Sequence, residues 1–436
     1  MEITMLGSKS RREDDLGPRE KGMPPVANEL SPSDTGAQGW SLLNEDLPLP
    51  VAVLKQSALV HNSRWMKGFV AESGARIAPH GKTTMSPALF DLQLADGAWG
   101  VTLSTPHQIQ VARSFGYNRI FMANQLVGRA GIDFVLSELR DNPDFEFYCL
   151  VDSRSNVEAL AGAARRLGLA RKLGVLVELG YPGGRTGCRS VGEAFALASF
   201  VAGEQALCLS GIEGFEGLLR GRDAQETHEL VNGFLDRLTA LAARCSQAGL
   251  FTSESVILSA GGSSFYDLVV AKLKAAAIGR PTVILLRAGC YITHDSVMYV
   301  RAFDALGARD PELAAKDGGL RAALEVWAYV QSRPEPTKAI VGFGKRDASY
   351  DDPPVALAWF RPSGAMSRPC AVPPGHQAVR LNDQHCHLAI PEDSPLAVGD
   401  MVAFGISHPC LTFDKWRVLH VVDDDYRVTS SIRTYF

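Results

Sequence analysis

Ala75-Arg76-Ile77-Ala78-Pro79-His80-Gly81-Lys82-Thr83 is the stretch whose reading decides the fold. Its apolar run, Ala75 to Ala78, breaks off into a proline, an imidazole, a glycine and a lysine. The same rhythm recurs as far as Tyr291. Short apolar runs at Trp99–Ser104, Arg119–Asn124, Phe145–Asp152, Gly174–Gly180, Ser210–Phe215, Val256–Gly261 and Val283–Gly289 each close on polar or glycine residues. Amphipathic stretches such as Pro106–Phe115, Asn156–Leu167, Val191–Phe200 and Glu226–Ala248 lie between them. Eight strand–helix units with strands apolar on both faces predict an α/β fold, a closed parallel (β/α)8 barrel of the TIM type. An open doubly wound sheet is the alternative, but no G-x-G-x-x-G follows the first strand.

After Arg301 the texture changes. A helical patch over Pro311–Gln331 gives way to β-like runs at Ala339–Val341, Ala356–Trp359, His387–Ile390, Met401–Phe404, Val418–Val422 and Arg427–Ser430, which predict a mostly antiparallel β domain. The apolar segment Leu47–Leu54 has no helical stretch before it and is assigned to that β domain. The expected organisation is a barrel over residues 58–303 inserted into a β domain made of residues 40–57 and 304–436. Residues 1–38 are polar, Gly/Pro-rich and mixed in charge, and are expected to form a disordered lead-in.

Composition narrows the function. The chain has 436 residues and a net charge of −4, which gives no electrostatic reason to expect nucleic acid or an anionic membrane as partner. The longest apolar runs are far too short to cross a bilayer, and the charged N-terminus has no signal core, so the expectation is a cytoplasmic protein. The eight cysteines show no disulfide spacing and fit a reducing compartment.

In a (β/α)8 barrel the chemistry sits at the carboxyl ends of the strands. The polar residues there are His80, Lys82, Ser104, Thr105, Asn124, Asp152, Tyr181, Arg185, Gly261, Gly262 and Arg287. A lysine at such an end can form an imine with an aldehyde cofactor and afterwards serve as a base. His80 lies two residues before Lys82, so on an extended chain both side chains point the same way. Gly261-Gly262-Ser263 after the seventh strand and Gly289-Cys290-Tyr291 after the eighth offer unobstructed N–H donors at the two loops where barrels hold phosphate. Far downstream, Ser407-His408-Pro409-Cys410 carries His408 and Cys410, a soft, zinc-compatible ligand pair. A buried thiol beside a structural histidine is the competing reading of that pair. His385-Cys386-His387 is a rival metal cluster, because alternation places His385 and His387 on one face.

Taken together, these segments resemble the alanine-racemase-like (fold type III) pyridoxal-phosphate enzymes, and most closely the D-serine dehydratase and D-threonine aldolase branch. Six motifs in order carry the likeness: Pro79–Thr83; Gly180-Tyr181 with Arg185-Thr186-Gly187; Ser259–Ser263; Gly289–Tyr291; Asp383-Gln384-His385; and His408-Pro409-Cys410. The likeness spans Leu47 to the C-terminus. The branch often follows its lysine motif with His-Lys, where this chain has Thr84-Met85.

The resemblance implies pyridoxal 5'-phosphate on Lys82, with Tyr181 and Arg185 approaching its ring; for His80 the residues leave open orienting the cofactor, tuning the lysine, or a structural role bonded to backbone. It implies His385 near the substrate as an acid–base or binding group, and Zn2+ on His408 and Cys410. In the family a cysteine at the second ligand position goes with zinc and dehydration, while aldolases use a carboxylate there. The implied activity is a dehydratase, or ammonia-lyase, acting on a β-hydroxy D-amino acid such as D-serine. A D-threonine-type aldolase, or a dehydratase of a larger substrate such as 3-hydroxyaspartate or D-glucosaminate, is the alternative. A racemase has no use for the metal, and a non-catalytic pyridoxal-phosphate carrier is typically a lone barrel. A homodimer is expected from the resemblance, and Arg287 and Lys345 are candidates to read an extra substrate carboxylate.

Overall fold

A computed structural model describes residues 14–25, 29–364 and 366–436. In chain order the strands are β1 (Val51–Lys55), β2 (Arg76–Ile77), β3 (Val101–Leu103), β4 (Arg119–Gln125), β5 (Glu146–Val151), β6 (Leu173–Leu179), β7 (Leu207–Gly214), β8 (Val256–Ser259) and β9 (Thr282–Leu286). They continue as β10 (Leu324–Glu335), β11 (Lys338–Val341), β12 (Val355–Phe360), β13 (Cys370–Ala371), β14 (Gln377–Leu381), β15 (Cys386–Ala389), β16 (Met401–Gly405), β17 (Val418–Val422) and β18 (Val428–Arg433). The chain divides into two compact units. One comprises Lys67–Lys82 and Gly97–Gly289, the other Met1–Met66, Thr83–Asp96 and Cys290–Phe436.

The first unit holds eight parallel strands in the order β2-β9-β8-β7-β6-β5-β4-β3. The two ends of that order meet. Thr102 N–H donates to Pro79 O at 2.9 Å, and His80 forms a parallel bridge with Thr102, which curls the sheet back on itself. Ala78, Phe121, Leu150, Leu176, Ile257 and Leu285, from six different strand segments, fill the interior as a packed core. Helices alternate with the strands and are signalled in sequence. Ser153 and Ser190 cap Arg154–Arg166 and Val191–Gly203, and Glu193 completes a capping box with Ser190.

The second unit is built on a mostly antiparallel sheet in which β1 lies between β10, antiparallel, and β17, parallel. Val51, Val53, Trp327, Met401, Ala403 and Val422 share a core on it. Two expectations are corrected here. The helical patch expected over Pro311–Gln331 is α-helix at Pro311–Ala315 and 3-10 helix at Lys316–Gly318, and from Leu324 it is β10, because Val326, Trp327, Ala328 and Val330 are all buried in a strand flanked by β1 and β16. Within the expected lead-in, residues 14–25 and 29–38 are folded. Leu16 pairs with Leu30, Leu16 and Met23 pack on Val418, and Pro32–Gln38 forms a 3-10 turn. Lys21 fixes this segment with an ion pair of 2.6 Å to Asp347 and by lying over the Trp416 ring. Residues 1–13 lie outside the described residues. No helix among the described residues is long and apolar enough to cross a membrane.

Candidate functional site

At the end of β2 the backbone leaves the extended state at once. Lys82 sits in a 3-10 turn, Gly81–Thr83, and its side chain is exposed. The alternation argument that put His80 and Lys82 on one face therefore does not apply. The two still meet electrostatically. Burial, and after it the positive charges of Lys82, Arg287 and Arg185, push the His80 imidazole well below its ordinary range, so it is neutral at working pH. Its Nε2 lies 3.3 Å from Ser104 Oγ, while Nδ1 is buried with no partner.

Three buried glutamates line the carboxyl ends of β6 and β7. Glu178 and Glu213 are direct neighbours in the parallel register. Glu178 accepts from Gln125 Nε2 (2.5 Å) and Thr186 Oγ1 (2.6 Å), and burial raises its pKa. Glu213 forms a buried ion pair with Arg287, and burial raises its carboxyl as well. Arg287 also donates to Ser259 Oγ at 2.5 Å. The guanidinium offered above to a substrate carboxylate is thus already engaged with the chain's own acid. Glu213 Oε2 is buried without a partner.

Glu216 occupies the place that the sequence reading gave to a phosphate. Its two oxygens accept from Gly261 N–H (3.0 Å) and Gly262 N–H (3.2 Å). The glycines are required: Gly261 has φ +94°, and a Cβ on Gly262 would come within 2.9 Å of the Phe215 ring. This is an anion-binding nest, and the anion in it is the chain's own. Ser263 is half-buried just beyond it, ahead of helix Tyr266–Lys274. Gly289 approaches His80 so closely that a Cβ would meet the His80 carbonyl oxygen at 2.5 Å. Arg185 is exposed with its guanidinium over Phe215, and the Tyr181 ring packs edge-on against Phe234 at 5.7 Å.

These features fit an anionic, aldehyde-bearing group such as pyridoxal phosphate. An exposed lysine lies beside a neutral imidazole, three cations share the neighbourhood, and two buried polar atoms have no partner. Ser263, half-buried beside the nest, offers a hydroxyl to such a group while Glu216 fills the nest.

The second unit carries a separate cluster. His408 Nδ1–H donates to Asp351 Oδ2 at 2.7 Å, which leaves Nε2 with its lone pair. His408 adopts φ +51°, and its N–H is held at 2.9 Å by Asp295 Oδ2. Asp295 is buried, and its other oxygen accepts from Val297 and Tyr299 N–H. Cys410 Sγ lies 3.8 Å from Cys290 Sγ and 3.5 Å from Thr83 Oγ1, and Thr83 Oγ1 is 3.7 Å from Cys290 Sγ. All eight cysteines are free thiols. The Cys290 thiol is pushed well up, first by its hydrogen bond with Cys410 and then by burial. Tyr291, the next residue, is buried with its hydroxyl bonded to Gln93.

The rival cluster lies at the start of β15. His385 is exposed in the turn before β15, Cys386 is buried with its thiol pushed up to about 12 by desolvation, and His387 Nε2 is buried without a partner. Lys345 lies over the Tyr350 ring. Among the described residues no three His, Cys, Asp or Glu side chains are already gathered around a common point.

Sequence reading missed Glu178, Glu213, Glu216, Asp295 and Asp351, and gave Thr83 and Ser259 no role beyond their place in two motifs. A signal existed for the first two: an acid near the end of an otherwise apolar strand, as in Val177-Glu178-Leu179 and Ile212-Glu213-Gly214, has to be paired or used. Nothing local marked Asp351, whose role comes only from meeting His408.

Comparisons with known proteins agree with this architecture. The profile of a family described as "Putative serine dehydratase domain" matches residues 323–422, the segment that contains His408 and Cys410. A D-threonine aldolase from Arthrobacter sp is 23% identical over 376 residues, covering 86% of this chain and 89% of that protein. The crystal structure of D-threonine aldolase from Filomicrobium marinum superposes with a TM-score of 0.73 at 22% identity, covering 91% of this chain and 97% of that one. D-threo-3-hydroxyaspartate dehydratase from Delftia sp. HT23 gives 0.66 at 22% identity, with 91% and 99% covered. At this identity the structural likeness establishes the alanine-racemase-like fold.

Proposed function

We propose that this chain, whose fold is alanine-racemase-like, is a pyridoxal-phosphate- and zinc-dependent dehydratase of a β-hydroxy D-amino acid, a reading supported by its similarity to a serine dehydratase domain and to D-threonine aldolase. The observation that carries this reading is the donor set of the second unit. His408 has its ring tautomer set by Asp351, and Cys410 is a thiol, not a carboxylate. Soft donors select zinc over the harder divalent ions.

Pyridoxal phosphate, when bound, supplies an electron sink for charge developing at the α-carbon, and zinc supplies a Lewis acid for a hydroxyl that is otherwise a poor leaving group. The chain supplies the rest. Lys82 anchors the cofactor and is the base that takes the α-proton. His80, neutral and bonded to Ser104, orients the ring without adding a competing positive charge. Glu213 and Arg287 hold a fixed dipole behind it. Arg185, exposed at the strand ends, is available to the cofactor or to a substrate carboxylate. His408 and Cys410 hold the metal and leave open positions, as a catalytic site requires.

A D-threonine-type aldolase is the second reading, favoured by the 23% identity over most of the chain to the Arthrobacter enzyme. Incubation of purified protein with D-serine, D-threonine and D-threo-3-hydroxyaspartate, with and without a zinc chelator, separates the two. Ammonia and a 2-oxo acid that vanish on chelation and return with zinc are expected. Glycine plus an aldehyde would move the assignment to the aldolase, and turnover indifferent to chelation would remove the metal from it.

A further inference from the structure

We propose that Cys290 is a third protein ligand to the metal held by His408 and Cys410, so that the site is Cys2His. The proposal rests on the metal reading above and extends it to a residue that sequence reasoning gave to the cofactor loop.

Geometry is the first support. Cys290 Sγ and Cys410 Sγ lie 3.8 Å apart. A tetrahedral zinc with Zn–S bonds of about 2.3 Å places two sulfurs about 3.8 Å apart, so the thiols already span one edge of the required tetrahedron. A disulfide has its sulfurs about 2.05 Å apart, and both cysteines here are free thiols.

The second support is how the pair is held. Cys290 is 5% exposed and opens a 3-10 turn, Cys290–Ile292, whose carbonyl end is fixed by His294 N–H donating to Cys290 O at 2.7 Å. Cys410 opens the short helix Cys410–Phe413. Thr83, 1% exposed, lies within 3.7 Å of both sulfurs, where its hydroxyl would donate to thiolates and support the ligands from outside the coordination sphere.

The third support is chemical. Two thiolates and one imidazole form a donor set that suits zinc and leaves one position open, as in other catalytic Cys2His zinc sites. Among the described residues no three donors are gathered around one point, so the two sulfurs are the edge already in place, and binding of the metal would have to bring in the His408 ring that Asp351 orients.

The test is X-ray absorption at the zinc edge on the full-length, cofactor-loaded protein. Two sulfur neighbours at about 2.3 Å with nitrogen at about 2.0 Å are expected. A single sulfur neighbour would overturn the role of Cys290 while leaving the metal reading intact. Failure of the wild-type protein to retain one equivalent of zinc would sink both. Cys290→Ser, checked for its melting transition and for retained pyridoxal-phosphate absorbance, provides the second measurement. Its cobalt-substituted form should lose about half of the near-ultraviolet thiolate-to-cobalt absorption. Its zinc affinity should fall by at least the 10–100-fold that loss of a supporting partner alone produces. Unchanged cobalt absorption and affinity would refute the proposal. If the variant does not fold, the sulfur count on the unaltered protein decides.

Discussion

Replacing Asp351 by asparagine tests the metal reading from outside the coordination sphere. The carboxylate accepts from His408 Nδ1–H at 2.7 Å and so determines which ring nitrogen is left for an ion. Asparagine keeps the size and can still accept through its carbonyl, but it removes the charge that makes the imidazole a better donor. Loss of such a partner typically weakens metal binding 10–100-fold, about 1.4–2.8 kcal/mol. Here Asp351 is 45% exposed and His408 29%, so water screens the pair and the lower end applies. The expected result is about a tenfold rise in the zinc dissociation constant, read by competition with a chromophoric chelator at fixed pH and ionic strength. The difference from wild type should narrow in high salt. A constant within twofold of wild type would refute the role given to the pair. A loss beyond a thousandfold would show that Asp351 is itself a ligand.

Lys82→Ala should abolish both the cofactor absorbance and turnover in the product assay, and a variant that kept its colour would displace Lys82 from its role. Arg287→Met leaves Glu213 buried without its cation and should cost about 3–5 kcal/mol, a fall of roughly 6–20 °C in the calorimetric transition, which Arg287→Met combined with Glu213→Leu should largely restore. A single-variant loss under about 1 kcal/mol would show that the pair is not what holds the ends of β7 and β9 together. His420 is pushed down to about 4, chiefly by burial, so the folded state binds its proton less readily than the unfolded chain. Its contribution is complete above pH about 6.5 and is lost as pH falls from there to about 4, up to about 3.4 kcal/mol. His420→Gln should therefore flatten the acid limb of stability measured by denaturant titration, and an unchanged limb would contradict the assignment.

The barrel was legible because each strand had to be apolar on both faces and each had to stop at its mouth, as Leu173–Leu179 and Thr282–Leu286 do. Lys82 and the His408/Cys410 pair were legible as chemistry without being legible as geometry. The turn at Gly81–Thr83 and the positive φ of His408 arise from contacts with distant residues, and no local pattern encodes them. β10 was read as helix because Leu324–Gln331 is apolar at both periods, and only its place between β1 and β16 decides. That Glu216 bonds to the Gly261–Gly262 nest was not legible for a related reason. Two glycines announce an anion without saying whether the chain brings its own, and Glu216 lies forty-five residues upstream of Gly261.

The position of β1 between β10 and β17 has a consequence for biosynthesis. All eight strands of the parallel sheet are complete by Leu286, but Val53 and Leu54 must wait for His420 and Val421 to be made before their outer edge is covered. At 5–20 residues per second that wait is roughly 20 to 70 s. During it an apolar strand with free N–H and C=O groups is open to pairing with a neighbouring nascent chain. A message ending before the codon for Val418 would release a product that keeps this edge uncovered. It would also lack all of β17 and β18, so such truncations should be found in aggregates or bound to chaperones, and not as a weakened enzyme.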